Sequence, residues 1–112
     1  KKGELKPSVD IFLPFENESE QMYKALHFAY KIIKSRKYNL VILDEINVAT
    51  SYNLIDINEV IEIISLNKKS ELVLTGRNAH PKLKKLADLI TEMKKHKHYF
   101  DTGAKARRGI EY

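Results

Sequence analysis

Two adjacent carboxylates, Asp44 and Glu45, stand at the end of an unbroken apolar run, Leu40 to Leu43. Such a pair can hold a divalent cation, directly or through water, and can polarise an attacking group. Four hydrophobic residues followed by two acids also suit a plain strand that ends in a polar turn, so the pair alone leaves both readings open. A second apt cluster is Thr75-Gly76-Arg77-Asn78, which follows the apolar run Leu72 to Leu74. It offers a hydroxyl, a turn glycine and a guanidinium that can grip a phosphate bidentately. If both runs are parallel strands, their carboxyl ends share one edge, where ligands bind in open α/β sheets. Carboxylate on metal and Arg77 on phosphate would then form one cradle.

An apolar strand ending in acid is the pattern of a Walker B element in nucleotide-binding folds. Its usual companion, a glycine-rich loop carrying a Lys and a Ser or Thr, is not present. Glycine occurs only at positions 3, 76, 103 and 109, and no phosphate-cradling spacing can be made from them. His96 and His98 are two apart and would share one face of a strand. No third ligand is fixed nearby, which favours a structural or surface role for them. Ser51, Ser65 and Ser70 lack a His-Asp relay in their surroundings, so nucleophilic hydrolysis has little support.

The elements that must position these groups alternate in type. Val9 to Leu13 reads as a short strand closed by Pro14. Asn17 and Glu20 stand in capping-box register ahead of a helix whose face is Met22, Leu26, Ala29 and Ile33, widened by Ala25, Phe28 and Ile32. Acids crowd its start and Lys31, Lys34, Arg36 and Lys37 its end, as the helix dipole favours. The strand Leu40 to Leu43 follows, suited by its composition to burial on both faces. Asn47 to Asn53 reads as a polar loop. Asp56 and Glu59 repeat the capping-box spacing before a second amphipathic helix with Ile57, Val60, Ile61 and Ile64, ending near Asn67. A strand over Glu71 to Thr75 comes next. Pro81 opens a shorter helix with Leu83, Leu86 and Ala87 inward, and Leu89 to Met93 makes a fourth strand. The order predicts an α/β fold, three layers with a mostly parallel sheet flanked by helices, as a single domain over residues 1–112.

The length of 112 residues suits one domain or part of one, and 43% hydrophobic residues can fill a core. No apolar run approaches the length of a membrane span. The absence of cysteine rules out disulfides and thiolate metal sites and is compatible with a reducing cytoplasm. The net charge of +5 sits in one place: Lys94, Lys95, Lys97, Lys105, Arg107 and Arg108 face Asp101 alone. Such a patch suits a polyanion, whether nucleoside triphosphate or nucleic acid, and equally a solvated basic tail.

Four stretches in this order are more specific than any of these features. They are YNLVILDEINVA (38–49), VLTGRNA (73–79), ADLITEM (87–93) and KHYFDTGAKARRGIEY (97–112). Together they closely resemble the P-loop type of corrinoid adenosyltransferase, from about Tyr38 to the end and more weakly before it. The resemblance implies a RecA-like P-loop fold, a cytoplasmic homodimer, and transfer of the 5′-deoxyadenosyl group from ATP to Co(I) of a corrinoid such as cobalamin. Mg²⁺ and cationic side chains would steady the departing triphosphate, and a reductase would supply Co(I).

Carried over by position, Asp44 and Glu45 resemble the family's Mg²⁺ and nucleotide carboxylates, with Glu45 as the catalytic one. Thr75, Gly76 and Arg77 resemble a wall of the ATP site. Asn47 either orients the nucleotide or caps the following turn. Lys105 and Arg107 would approach the triphosphate or the corrin side chains. The family's first strand and phosphate loop are expected upstream of Lys1, since the chain does not begin with Met. The sequence departs from the family in its shortened Pro14-Phe15-Glu16 and in having no Trp. The alternative is a non-catalytic relative that binds a corrinoid, or a nucleic acid through residues 94–108, without binding ATP.

Overall fold

A computed structural model of the chain describes residues 18–67 and 69–110. The strand expected over Val9–Leu13 and the Asn17 cap lie outside the described residues. Within them the order is α1 (Glu18–Ser35), β1 (Leu40–Leu43), α2 (Ile46–Ser51), α3 (Ile57–Leu66), β2 (Glu71–Leu74), α4 (Pro81–Leu86) and a 3₁₀ turn at Tyr99–Thr102.

α1 forms because its apolar residues recur every three or four positions. Leu26, Ala29 and Ile33 are buried, with Met22, Tyr30 and Ile32 half-buried beside them. Phe28 is also half-buried, whereas Ala25 points outward. The helix stops where Arg36 turns left-handed at φ 57°, its N–H still reaching the Ile33 carbonyl at 3.2 Å. Ser35 Oγ donates to the Ile32 carbonyl at 2.6 Å and accepts from the Lys37 N–H at 3.3 Å, which closes the end locally.

β1 and β2 pair in parallel, Leu40 opposite Glu71 and Leu43 opposite Leu74. The crossover between them carries α2 and α3. Val41, Leu43, Leu72 and Leu74 point to one face, where they join Ile33 of α1, Val60 and Ile63 of α3 and Leu83 of α4 in a single core. Val60 has no exposed surface and Ile33 only 1%, so the α1–α3 contact is its driest part. The α/β architecture with a parallel sheet and flanking helices is as the sequence predicts.

Four expectations need correction. The run Leu40–Leu43 is not buried on both faces: Ile42 is 56% exposed, and Leu40 and Val73 share its open side, because every described helix packs on the opposite face. The described residues therefore form two layers rather than three. The loop expected over Asn47–Asn53 is largely α2, since Ile46, Ala49 and Thr50 fall on one face and pack inward. At α4 only Leu83 is buried; Leu86 and Ala87 are exposed. Leu89–Met93 is not a strand, and Met93 is 94% exposed. A strand exists by pairing, and among the described residues nothing lies beside that stretch to complete a ladder.

α3 begins as expected at Asp56, whose Oδ1 accepts the Asn58 N–H at 2.8 Å. Glu59 does not complete the box. It accepts the Tyr23 hydroxyl at 3.2 Å, joining α3 to α1. That hydrogen bond, then the Glu59 charge, then slight burial and the Asp56 charge, hold the Tyr23 phenol above its ordinary pKa. The neutral phenol is the form favoured in the fold. The contribution is thus fully present below the ordinary phenol range and is lost as pH rises through the raised value. Glu59→Gln should bring the Tyr23 titration down toward an ordinary phenol, read as the phenolate absorbance lost in Tyr23→Phe. An unmoved titration would show that Glu59 is not the cause.

Candidate functional site

The carboxyl ends of β1 and β2 lie at one edge, and the parallel register carries the chain on from both strands in step. Thr75 is the residue that joins them. Its N–H donates to the Leu43 carbonyl at 3.3 Å, and its carbonyl accepts the Asn47 N–H at 3.1 Å. Its hydroxyl donates to Asp44 Oδ1 at 2.8 Å and accepts the Glu45 N–H at 3.0 Å. Glu45 precedes α2 in the left-handed region at φ 59°, a conformation that costs a non-glycine residue about 1 kcal/mol or more. Its N–H is held there by the Thr75 hydroxyl, and α2 starts from it, with the Ala49 N–H on the Glu45 carbonyl at 3.1 Å.

Gly76 lies close against the start of α2. It adopts φ 120°, a region open essentially to glycine. A Cβ placed there would stand 3.1 Å from Asn47 Cβ, 3.2 Å from Glu45 Oε2 and 3.2 Å from Val48 Cγ2. The absent side chain is therefore what gives the Glu45 carboxylate its place. Asn47, 6% exposed, donates from Nδ2 to the Gly76 carbonyl at 3.1 Å. Its Oδ1 is buried and has no hydrogen-bond partner among the described residues. Through its backbone N–H and its Nδ2, Asn47 fastens the 75–76 turn to α2.

Asp44, Glu45, Asn47, Thr75 and Gly76 are thus brought together. Arg77 is exposed just beyond Gly76 and makes no hydrogen bond or ion pair among the described residues. Lys105 is likewise exposed in the segment after the 3₁₀ turn. Arg107 lies over the Tyr99 ring, 5.4 Å from its centroid. The basic segment has order of its own: Lys95 pairs with Asp101 at 2.9 Å, and both are well exposed, so the pair contributes at most about 1 kcal/mol. His98 Nδ1 accepts the Phe100 N–H at 2.9 Å and caps that turn, while its ring stacks on Tyr99. It is structural, as the sequence favours. Among the described residues no cluster of three or more His, Cys, Asp or Glu side chains forms a metal site.

Residues 13–112 match the family described as ATP:corrinoid adenosyltransferase BtuR/CobO/CobP. The chain belongs to the corrinoid adenosyltransferase family. Among its curated relatives, a corrinoid adenosyltransferase of Sinorhizobium sp is 43% identical over 91 residues, covering 80% of this chain and 42% of that protein. The Pseudomonas aeruginosa corrinoid adenosyltransferase is 34% identical over 85 residues, covering 75% and 42% respectively. That of Escherichia coli K12 is 28% identical over 98 residues, covering 87% and 50%. The chain spans about half the length of the curated relatives it matches.

In this member of the corrinoid adenosyltransferase family, the sequence points to the acid pair and the 75–77 turn but not to the bonds between them. The signal was present in the types. A Thr at the end of one strand and an acid at the end of its neighbour are the two groups that can bond side by side in a parallel pair. No helix of the described residues is long and apolar enough to cross a membrane.

Proposed function

We propose that the whole protein transfers the 5′-deoxyadenosyl group of ATP to Co(I) of a corrinoid and releases triphosphate. What supports this reading is the coincidence of the family match over 13–112 with a strand-edge cluster in which Thr75 holds the Asp44 carboxylate and the backbone N–H of Glu45. In the reaction, the Co(I) electron pair attacks the ribose 5′ carbon, a Co–C bond forms, the C5′–O bond breaks, and triphosphate leaves with that bonding pair. No protein nucleophile is needed. The protein contributes by positioning the two substrates and stabilising the leaving group.

The donor set suits Mg²⁺, which typically takes one or two carboxylates and completes its octahedron with waters and phosphate oxygens. Asp44 and Glu45 would hold it, with Glu45 the catalytic residue, and no described residue's side chain bonds the Glu45 carboxylate. Bound Mg²⁺ would neutralise charge on the triphosphate as it departs. Asn47 and Gly76 shape the adenosine side of the same edge, and Arg77 supplies a cation one residue beyond it. Lys105 and Arg107 would meet the triphosphate tail or the corrin side chains. A RecA-like P-loop arrangement, a cytoplasmic homodimer and a reductase that delivers Co(I) belong to the same reading.

The test is to incubate the full-length natural protein with ATP, Mg²⁺ and a chemically reduced corrinoid under anaerobic conditions. Light-sensitive adenosylcorrinoid and one equivalent of triphosphate are expected. Release of ADP and phosphate without an alkylated corrinoid would replace the transferase with an ATPase.

A further inference from the structure

We infer that Thr75 is a positioning residue that never touches the nucleotide: its hydroxyl organises the Asp44–Glu45 pair for a divalent cation. The inference rests on the cation-binding part of the reading above. The sequence placed Thr75 in the wall of the ATP site, but the hydroxyl is already committed. A threonine has a single O–H donor, and here it is given to Asp44 Oδ1 at 2.8 Å. The same oxygen accepts the Glu45 N–H at 3.0 Å. The backbone N–H and carbonyl of Thr75 are also engaged, to Leu43 and Asn47. All of these partners fall within residues 43–47, so one side chain and its peptide units clamp the turn that bears both acids.

The clamp does two separate things. By donating to Asp44 Oδ1 it restrains that carboxylate and leaves Oδ2 for other ligands. By accepting the Glu45 N–H it helps hold a residue at φ 59°, a conformation unfavourable for any residue but glycine. Two like charges on consecutive residues would otherwise swing apart, since each prefers water to its neighbour. Only a group that is donor and acceptor at once can serve both, which a hydroxyl does and a methyl does not. Serine keeps the chemistry; valine keeps the shape and loses it.

The experiment compares the full-length protein with Thr75→Ser, Thr75→Val and Thr75→Ala. Mn²⁺ serves as the probe, followed by electron paramagnetic resonance without nucleotide or corrinoid, with amide hydrogen exchange at Glu45 read alongside. Thr75→Val should weaken Mn²⁺ binding by about tenfold or more, the usual cost of removing a group that orients a metal ligand. It should also unprotect the Glu45 amide, while Thr75→Ser stays within about twofold of wild type by the same measure. In an Asp44→Ala background the valine change should add little to the loss of Mn²⁺ binding, because the acceptor of the hydroxyl is already gone. Should valine disturb the fold, seen by circular dichroism, alanine gives the same comparison in a smaller side chain. Mn²⁺ binding and Glu45 protection unchanged in the valine and alanine variants, with only the KM for ATP raised, would overturn the inference and make Thr75 a nucleotide contact. A protein that makes no adenosylcorrinoid yet shows the valine–serine contrast in Mn²⁺ binding would refute the transferase and keep the clamp.

Discussion

Replacing Glu45 with glycine is expected to abolish adenosyl transfer while leaving the fold as stable as before, or slightly more so. The two halves of this result come from different atoms. The carboxylate is the group proposed to hold the cation that meets the developing triphosphate charge. Loss of one such stabilising contact typically costs about 10²- to 10³-fold in turnover. The backbone, however, sits at φ 59°, where glycine is at ease and glutamate is not. Release of about 1 kcal/mol of strain roughly offsets the extra freedom glycine gives the unfolded chain. Glu45→Gln separates the halves: activity should fall by about the same 10²-fold or more with stability unchanged. Chemical denaturation and product formation on the two variants check both. A glycine variant that loses more than about 1 kcal/mol would show that the left-handed turn is not strained.

Gly76→Ala is the second large effect, and it should act on fold and site together. The new Cβ meets Asn47 Cβ at 3.1 Å and Val48 Cγ2 at 3.2 Å, both rooted in α2, so neither can withdraw cheaply. It also meets Glu45 Oε2 at 3.2 Å and displaces the carboxylate. With a φ of 120° denied to alanine, a loss of about 1–3 kcal/mol in stability is expected, and Mg²⁺-dependent activity should fall further than stability alone explains. Gly103→Ala is the control. Gly103 also has positive φ, at 93°, but nothing lies within 4 Å of its Cβ position. It should cost only the backbone part and leave activity alone. Equal losses at 76 and 103 would show that contact with α2 and Glu45 does not matter.

The sequence carried some of this plainly and some not at all. Periodicity told α1 and α3 apart from the strands because Leu26, Ala29, Ile33 and Val60 all report one dry contact, although the α3 face read from the sequence, Ile57, Val60, Ile61 and Ile64, passes over Ile63, which is buried beside Val60. Asp44 and Glu45 were legible because acids that end an apolar run have nowhere to go but the strand edge. α2 was hidden by its polar residues: Asn47 and Thr50 are buried there, Thr50 by returning its hydroxyl to the Ile46 and Asn47 carbonyls at 3.1 and 2.9 Å. Ile46 and Ala49, three apart, were the available clue. Leu89–Met93 misled for the opposite reason, since apolar composition promises a strand but a ladder needs a neighbour. The role of Thr75 was invisible, because a hydroxyl's partners are set by strand register, which no local pattern encodes.

That register has a consequence in time. Thr75 reaches Glu45 across thirty residues of chain, and Asp44 across thirty-one. Until the α2–α3 crossover has closed and β2 has docked, the two acids are a flexible, weakly repelling pair like any exposed neighbouring carboxylates. Closing a loop of that length carries an entropic cost that only the finished strand pair repays. On the proposed reading, the cation site is therefore absent from every partly folded form that lacks β2 and arises in one step with the sheet. A nascent chain that has emerged only as far as Ser70 would not sequester metal, and a bound divalent cation becomes a report that the long-range pairing is complete.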